Sequence, residues 1–256
     1  MSGRLEGRVA LITGGSGGLG SATVRAFAEE GAAGLGIQYH TNKAQAEELV
    51  AGAKRVGTEA VALQCNATRR EEAYELVGAA VEALGGLDTL VCYAGHPFRR
   101  EEWFTPFEDL DEEVLMKPLG IDLLGSLFVA QAAIPHLRTS GRGRIVFTAS
   151  TPAVSGDVVG ISYLLAKGAL LSLTRSLAWY LGRDGVHVNA LVLGSIDTWA
   201  MAGLSKEERR DLEEETALKR FASPEEVARK AVHLASEDAS FQTGTGLVVD
   251  GGFLMG

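Results

Sequence analysis

Seven short apolar runs recur along the chain, at 9–12, 35–39, 59–64, 89–92, 144–148, 187–191 and 247–249. Short apolar runs bounded by turn residues read as buried strands. Between them lie longer stretches of helical character: 21–30 closing at Gly31, 43–56, 70–84 closing at Gly85-Gly86, and 111–137. Another helix is expected from Val159 onward, and one more after Ser223-Pro224-Glu225-Glu226, which reads as an N-cap with proline at the first helical position. Pro118 should mark a kink or a new first turn within 111–137. Strand and helix alternate from the start, which predicts an α/β protein: a doubly wound parallel sheet of seven strands with helices on both faces. No repeat, low-complexity tract or proline-rich linker interrupts the 256 residues, so one domain is expected over 1–256.

The turns between these elements carry the candidate chemistry. Residues 13–20, TGGSGGLG, join the first strand to the first helix, and Gly15, Gly17 and Gly20 satisfy G-x-G-x-x-G. A turn without side chains admits a pyrophosphate, and the helix behind it offers free N–H groups and a positive dipole end. A ligand-free glycine turn is the plainer reading; the flanking strand and helix favour the nucleotide. In such sites an acid about 20 residues on binds the ribose of NAD. Tyr39-His40-Thr41-Asn42-Lys43 contains none. Its absence removes repulsion against a 2′-phosphate, which His40 or Lys43 would then pair with, so NADP(H) is favoured over NAD(H). Alternatively, Lys43 merely opens a solvated helix.

Lysine and arginine total 24 against 33 acids, a net charge of −9. That balance argues against nucleic acid or an anionic membrane as the main partner. The start is short and polar, so no signal peptide or membrane span is expected. Two cysteines, Cys65 and Cys92, suggest a reducing, cytoplasmic setting. The five histidines show no metal-ligand spacing.

Ser150, Tyr163 and Lys167 fall within one stretch, STPAVSGDVVGISYLLAK. On a helix Tyr163 and Lys167 share a face, about 6 Å apart along the axis. An ammonium there favours phenolate, so the phenol can exchange a proton at working pH. Ser150 would point its hydroxyl at the same substrate oxygen. Such pairs also arise by chance; what sets this one apart is its company. Thr13, Gly95 and Ser150 all follow predicted strands, and open α/β sheets bind ligands outside the carboxyl ends of their strands. Asp122, a lone acid in GIDLLGSLF, reads first as hydrogen-bonded structure. The aromatic stretch 96–107 would wall a substrate pocket or cover the sheet edge, and the charged stretch 205–219 suits a lid within 198–220 or a plain solvated helix.

Thr13-Gly14-x-x-x-Gly18-x-Gly20, Ser150 at the end of strand five, Tyr163-x-x-x-Lys167 in the next helix, and Val249-Asp250-Gly251-Gly252 occur in this order. Together they resemble the short-chain dehydrogenase/reductase family over the whole chain, most closely its 3-oxoacyl-[acyl-carrier-protein] reductase type. The resemblance implies a single-domain Rossmann fold and hydride transfer between a nicotinamide cofactor and a small carbonyl or alcohol. Tyr163 would exchange the proton, Lys167 would support it and hold the nicotinamide ribose, and Ser150 would orient the substrate oxygen. Implied cofactor contacts are Gly14, Ser16, Gly18, Leu19 and Gly20 at the turn, and His40, Asn42 and Lys43 near the ribose. Asn66 and Ala67 would lie by the adenine, with Ala94, Gly95, Gly194, Ile196 and Thr198 further along the rim. A homotetramer, through helices near 122–138 and 158–181, is also implied.

Four departures accompany the resemblance. Cys92-Tyr93 stands where the family has two asparagines, Asp122 where it has the Asn that helps hold a water near the lysine, Asn66 for Asp, and Leu193 for Pro. They motivate one alternative, a nucleotide-binding scaffold or sensor without turnover. An NAD-dependent alcohol or sugar dehydrogenase is another.

Overall fold

A computed structural model of the chain describes residues 3–255. All seven strands join one parallel sheet in the order β3-β2-β1-β4-β5-β6-β7. They are β1 (Val9–Thr13), β2 (Gly34–Tyr39), β3 (Glu59–Gln64), β4 (Thr89–Cys92), β5 (Arg144–Ser150), β6 (His187–Leu193) and β7 (Gly246–Val249). The order reverses between β1 and β4, where the chain crosses from one half of the sheet to the other.

One face is covered by α1 (Gly18–Glu29), α2 (Lys43–Arg55) and α10 (Pro224–Ala235), packed through Val24, Phe27, Leu49, Val227 and Val232 on Ile12, Ile37 and Leu191. The other is covered by α3 (Arg70–Leu84), α6 (Ser126–Ser140) and α8 (Ile161–Leu181), whose Leu76, Val129, Leu137, Leu170 and Leu181 meet Leu90, Ile145 and Phe147. Strands sandwiched this way are apolar on both sides, which is why they read as unbroken runs rather than alternations. Phe147 is wholly buried; truncating such a side chain costs about 3–5 kcal/mol.

The run 112–140 is helical throughout and, by length and apolarity alone, would cross a membrane. Here it is a core helix, with Val129, Ala130, Ala133 and Leu137 against the sheet. It is also not uniform. α5 (Glu112–Pro118) gives way to a π-helix, Leu119–Gly125, before α6 resumes. Proline has no N–H to donate, and the widened turn begins directly after Pro118. It brings Asp122 into the interior.

Several boundaries differ from those read from the pattern. Ser150 is the last residue of β5, paired in register with Leu193, rather than a residue beyond the strand. α1 starts three residues earlier, inside the glycines. α8 starts at Ile161, not Val159, because Gly160 takes a left-handed conformation (φ 64°) at the N-cap. The stretch 205–219 is helical only over α9 (Lys206–Glu214), opened by a Ser205–Glu208 capping box. Within 96–107 one turn of α-helix forms, α4 (Arg100–Trp103), and a 3-10 turn starts at Phe107; another four-residue helix, α7 (Pro152–Ser155), follows β5.

At the amino ends of the strands an ionic cluster, buried at Arg8, Asp88 and Arg144, half-buried at Arg142 and exposed at Glu237, ties the sheet together. Asp88 accepts from Val9 N at 3.0 Å and lies 3.7 Å from Arg8 Nη1 and 3.0 Å from Arg142 Nη2. Arg8 and Arg144 both reach Glu237, at 2.5 and 3.4 Å. Burial, then the neighbouring Arg8, lowers the Arg144 pKa from its ordinary value.

Candidate active site

The turn after β1 is held from below by Gln38, buried in β2. Its Oε1 accepts from Gly14 N at 2.7 Å, its backbone O accepts from Gly15 N at 2.8 Å, and its Nε2 donates to Cys65 O at 2.8 Å. The turn lies so close to α1 that a Cβ at Gly20 would stand 2.2 Å from Gly14 O. Gly17, the N-cap of α1, offers no side-chain cap, and the first turn contains no acid. The orphan N–H groups and the positive end of α1 are therefore left to a ligand. A side-chain-free cradle over an uncapped helix start fits the pyrophosphate of a dinucleotide. Ser16 is half-buried beside it, and Leu19 packs into the core behind it.

Other anticipated cofactor contacts are distributed along the same rim, several with local partners. His40 and Lys43 are exposed past the end of β2, and Lys43 Nζ lies 3.5 Å from Glu47. Asn42 caps α2, its Oδ1 accepting from Gln45 N. The Asn66 side chain closes on Thr68, and Ala67 is buried against Gly125. Ile196 buries its side chain in the core, so its backbone is what meets the rim. Gly194 packs on Asp250, where a Cβ would stand 2.9 Å from Asp250 Cα. Thr198 crosses Gly18 so closely that a Cβ there would meet its methyl at 2.9 Å; glycine at 18 makes room for this chain as well as for a ligand.

Tyr163 and Lys167 share a face of α8, with Nζ 5.3 Å from the centre of the phenol ring. Lys167 is buried, donates to Thr148 O at 3.0 Å, and stands 2.8 Å from Asp122 Oδ1. The alignment of that last contact falls short of a hydrogen bond. Asp122 Oδ2 accepts from His96 N at 2.8 Å. The approach requires glycine at 95, since a Cβ there would lie 2.8 Å from Asp122 Oδ1. Burial works against the Lys167 ammonium, but the charge of Asp122, and then Tyr163, hold its pKa above the ordinary lysine value. Ser150 is half-buried at the end of β5, its Oγ 3.5 Å from Leu193 O.

The replaced asparagines leave no gap. Thr148 Oγ1 donates to Cys92 O at 2.8 Å, Thr13 Oγ1 accepts from Ala94 N at 3.3 Å, and Thr23 Oγ1 donates to the Tyr93 hydroxyl at 3.0 Å. Burial pushes the Cys92 thiol up to about 12 and the Cys65 thiol up to about 11, so both are neutral. Burial raises Tyr93 as well.

Two segments border this cluster. Trp103 lies 5.4 Å, centroid to centroid, from Tyr163, and its carbonyl accepts from Gly160 N at 2.8 Å. Phe98 backs it at 5.5 Å. The aromatic stretch thus contributes Trp103 to the site, while Phe104 and Phe107 stay exposed. His96 Nε2 meets Glu102 at 2.6 Å, and Lys117 joins Glu102 and Glu113, each at 3.0 Å. From the other side, Glu208 of α9 pairs with Arg100 at 2.6 Å, and Arg209 with Asp197 at 3.0 Å. The pattern of the chain marks neither Gln38 nor Thr148 as a site residue, and reaches His96 and Trp103 only within the 96–107 stretch, read as pocket wall or edge cover. Gln38 carried a signal of its own, as a lone amide inside an apolar run.

Comparison with known proteins agrees with this fold. A family profile described as enoyl-(acyl carrier protein) reductase matches residues 14–254. The sorbose reductase sou1 of Schizosaccharomyces pombe is 34% identical over 97% of this chain and 96% of the relative. A short-chain dehydrogenase from Burkholderia cenocepacia, solved in complex with NADP, superposes with a TM-score of 0.88 at 32% identity, over 98% of this chain and 99% of that one. A 3-oxoacyl-[acyl-carrier protein] reductase from Brucella melitensis gives 0.89 at 28% identity, over 98% and 93%.

Proposed function

The chain belongs to the short-chain dehydrogenase/reductase family, and from that premise we propose that it is an NADP(H)-dependent reductase of a ketone or 3-oxoacyl group. Its broader class is an oxidoreductase acting on alcohol or carbonyl groups. The observation that carries the finer reading is the buried Lys167 ammonium 5.3 Å from the Tyr163 ring, on the rim that also bears Ser150 and the glycine cradle.

When bound, a nicotinamide cofactor supplies the hydride. Tyr163 gives its phenolic proton to the substrate oxygen in reduction and takes it back in oxidation. Lys167 stands where its charge favours the phenolate left behind. Ser150 holds the substrate oxygen by a hydrogen bond. Gly14, Ser16 and Gly20 with the start of α1 hold the phosphates, and His40 and Lys43 the 2′-phosphate. Phe98 and Trp103 border the approach to Tyr163, which favours a ketone with an apolar body. The chain works as one domain with 198–220 as its lid, in a reducing cytoplasm that suits two buried free thiols. Exposed Leu165, Trp179 and Tyr180 on α8 suit a homotetramer.

An NAD-dependent alcohol or sugar dehydrogenase is the second reading. It is favoured by the exposure of Lys43, its pairing with Glu47, and the sugar named in the sorbose reductase relative. Dissociation constants for NADPH and NADH, with loss of NADPH absorbance on a panel of ketones, test both. Tighter NADPH binding and ketone-dependent oxidation are expected. Tighter NADH binding overturns the cofactor assignment, and equal rates in Tyr163→Phe overturn the proton donor.

A further inference from the structure

We propose that Asp122 is a positioning residue that sets the pH at which Tyr163 exchanges its proton, by offsetting the Lys167 charge that Tyr163 would otherwise feel in full. This rests on the functional reading above. A neutral amide at position 122 would still accept from His96 N through its one oxygen, while leaving the ammonium unopposed. A carboxylate changes the electrostatics. Its Oδ1 stands 2.8 Å from Nζ, and the ring of Tyr163 is centred 5.3 Å from the same nitrogen. What reaches the phenol is the field of an ion pair, not of a lone cation, and that field weakens faster with distance. Burial keeps water from screening it, since Asp122 is 1% exposed and Lys167 6%.

The surroundings hold this arrangement on every side. On the β4 side, the Cys92 thiol is neutral and adds no charge, while His96 N donates to Asp122 Oδ2. From β5, Thr148 O accepts from Lys167. On α8 the facing groups are Lys167 and Tyr163 themselves. One layer out, the His96 ring pairs with Glu102, which also engages Lys117, and Lys117 engages Glu113. Glycine at 95 is the backbone device that lets the carboxylate in.

The test is a difference titration that needs no turnover. The phenolate absorbance lost in Tyr163→Phe is assigned to Tyr163, and the same subtraction is repeated in an Asp122→Asn background with NADP bound. The band should appear about one pH unit lower when the carboxylate is gone. The pH midpoint of alcohol oxidation should move down by the same amount. Asp122→Ser, also neutral, should behave like Asp122→Asn. An unchanged or raised phenolate midpoint in both variants overturns the proposal and leaves Asp122 a mere holder of Lys167. So does failure of both neutral variants to fold while Asp122→Glu folds. Absence of wild-type turnover on any carbonyl defeats the functional reading alone, because the phenolate difference is still measured.

Discussion

Both ends of the sheet bury an acid beside a cation, yet the two clusters are built differently. At the amino rim, Asp88 meets two guanidinium groups and a backbone amide, and Arg8 and Arg144 donate onward to Glu237 and to the Arg142 and Gly143 carbonyls. Most of these donors turn toward protein. At the carboxyl rim a single ammonium serves Asp122 and Thr148 O and remains beside a half-buried phenol. Guanidinium is a rigid fork that saturates its partners; ammonium is a point charge on a flexible stem. The first cluster fixes strand ends. The second leaves charge directed at a reactive group. Burial alone does not separate structure from chemistry, and unspent valence does not either, since Arg144 Nε also lacks a partner; what differs is the phenol beside Lys167.

Substitutions can break this contrast. Tyr163→Phe should reduce turnover by about 10²–10⁴-fold, with melting temperature and NADPH binding nearly unchanged; steady-state rates and calorimetry check both. Asp88→Ala should do the reverse. It leaves the buried Arg8 with the exposed Glu237 as its remaining acid, at a cost of up to about 3–5 kcal/mol, seen as a lower midpoint in denaturant, while kcat per folded molecule is retained. Lys167→Ala should do both at once, since it strands Asp122 in the interior at a similar cost of about 3–5 kcal/mol and removes the support for the phenolate. If Lys167→Ala folds as well as wild type, the Asp122 pair is not what the distances imply.

Smaller effects lie further out. Lys43→Ala should weaken NADPH about fivefold or less, as for an exposed ion pair worth about 1 kcal/mol at most, and leave NADH unaffected; the ratio of dissociation constants reads it. The smallest concerns α9. Glu208 accepts from Ser205 N and pairs with Arg100, which hold its carboxyl down to about 2 from an ordinary 4.5. A depressed acid stabilises the folded form above the ordinary value and loses that contribution as pH falls through the depressed one. The Arg100–Glu208 contact should therefore persist at neutral pH and weaken between about 4.5 and 2. Limited proteolysis across that window should show α9 loosening in wild type and no such step in Glu208→Gln.

Much of the fold was legible because its signals are local. β3, α3 and β4 run over the residues that their apolar runs and closing glycines mark. The Ser223 capping box and Pro224 at the start of α10 follow from four consecutive residues. Boundaries slipped where a partner decides them. β5 extends through Ser150 because β6 continues to pair with it as far as Leu193, and α8 starts late because Gly160 donates to the Trp103 carbonyl. The aromatic stretch was undecided in sequence because its residues differ in destination, not in type: Trp103 lies on Tyr163 while Phe104 faces solvent.

From the chain alone came the alternation of elements, the glycine turn, the order of Ser150, Tyr163 and Lys167, and the absence of an acid after β2. These depend on residue type and on spacing within one or two elements, where backbone geometry converts sequence distance into spatial distance. Which charge faces Lys167, what supports the turn from below, and which aromatic ring meets the phenol were decided only when distant segments packed. Electrostatic and hydrogen-bonding effects change steeply over a few ångströms, and no spacing rule sets the separation of Asp122 from Lys167, or of Gln38 from Gly14, until the sheet and its helices are assembled.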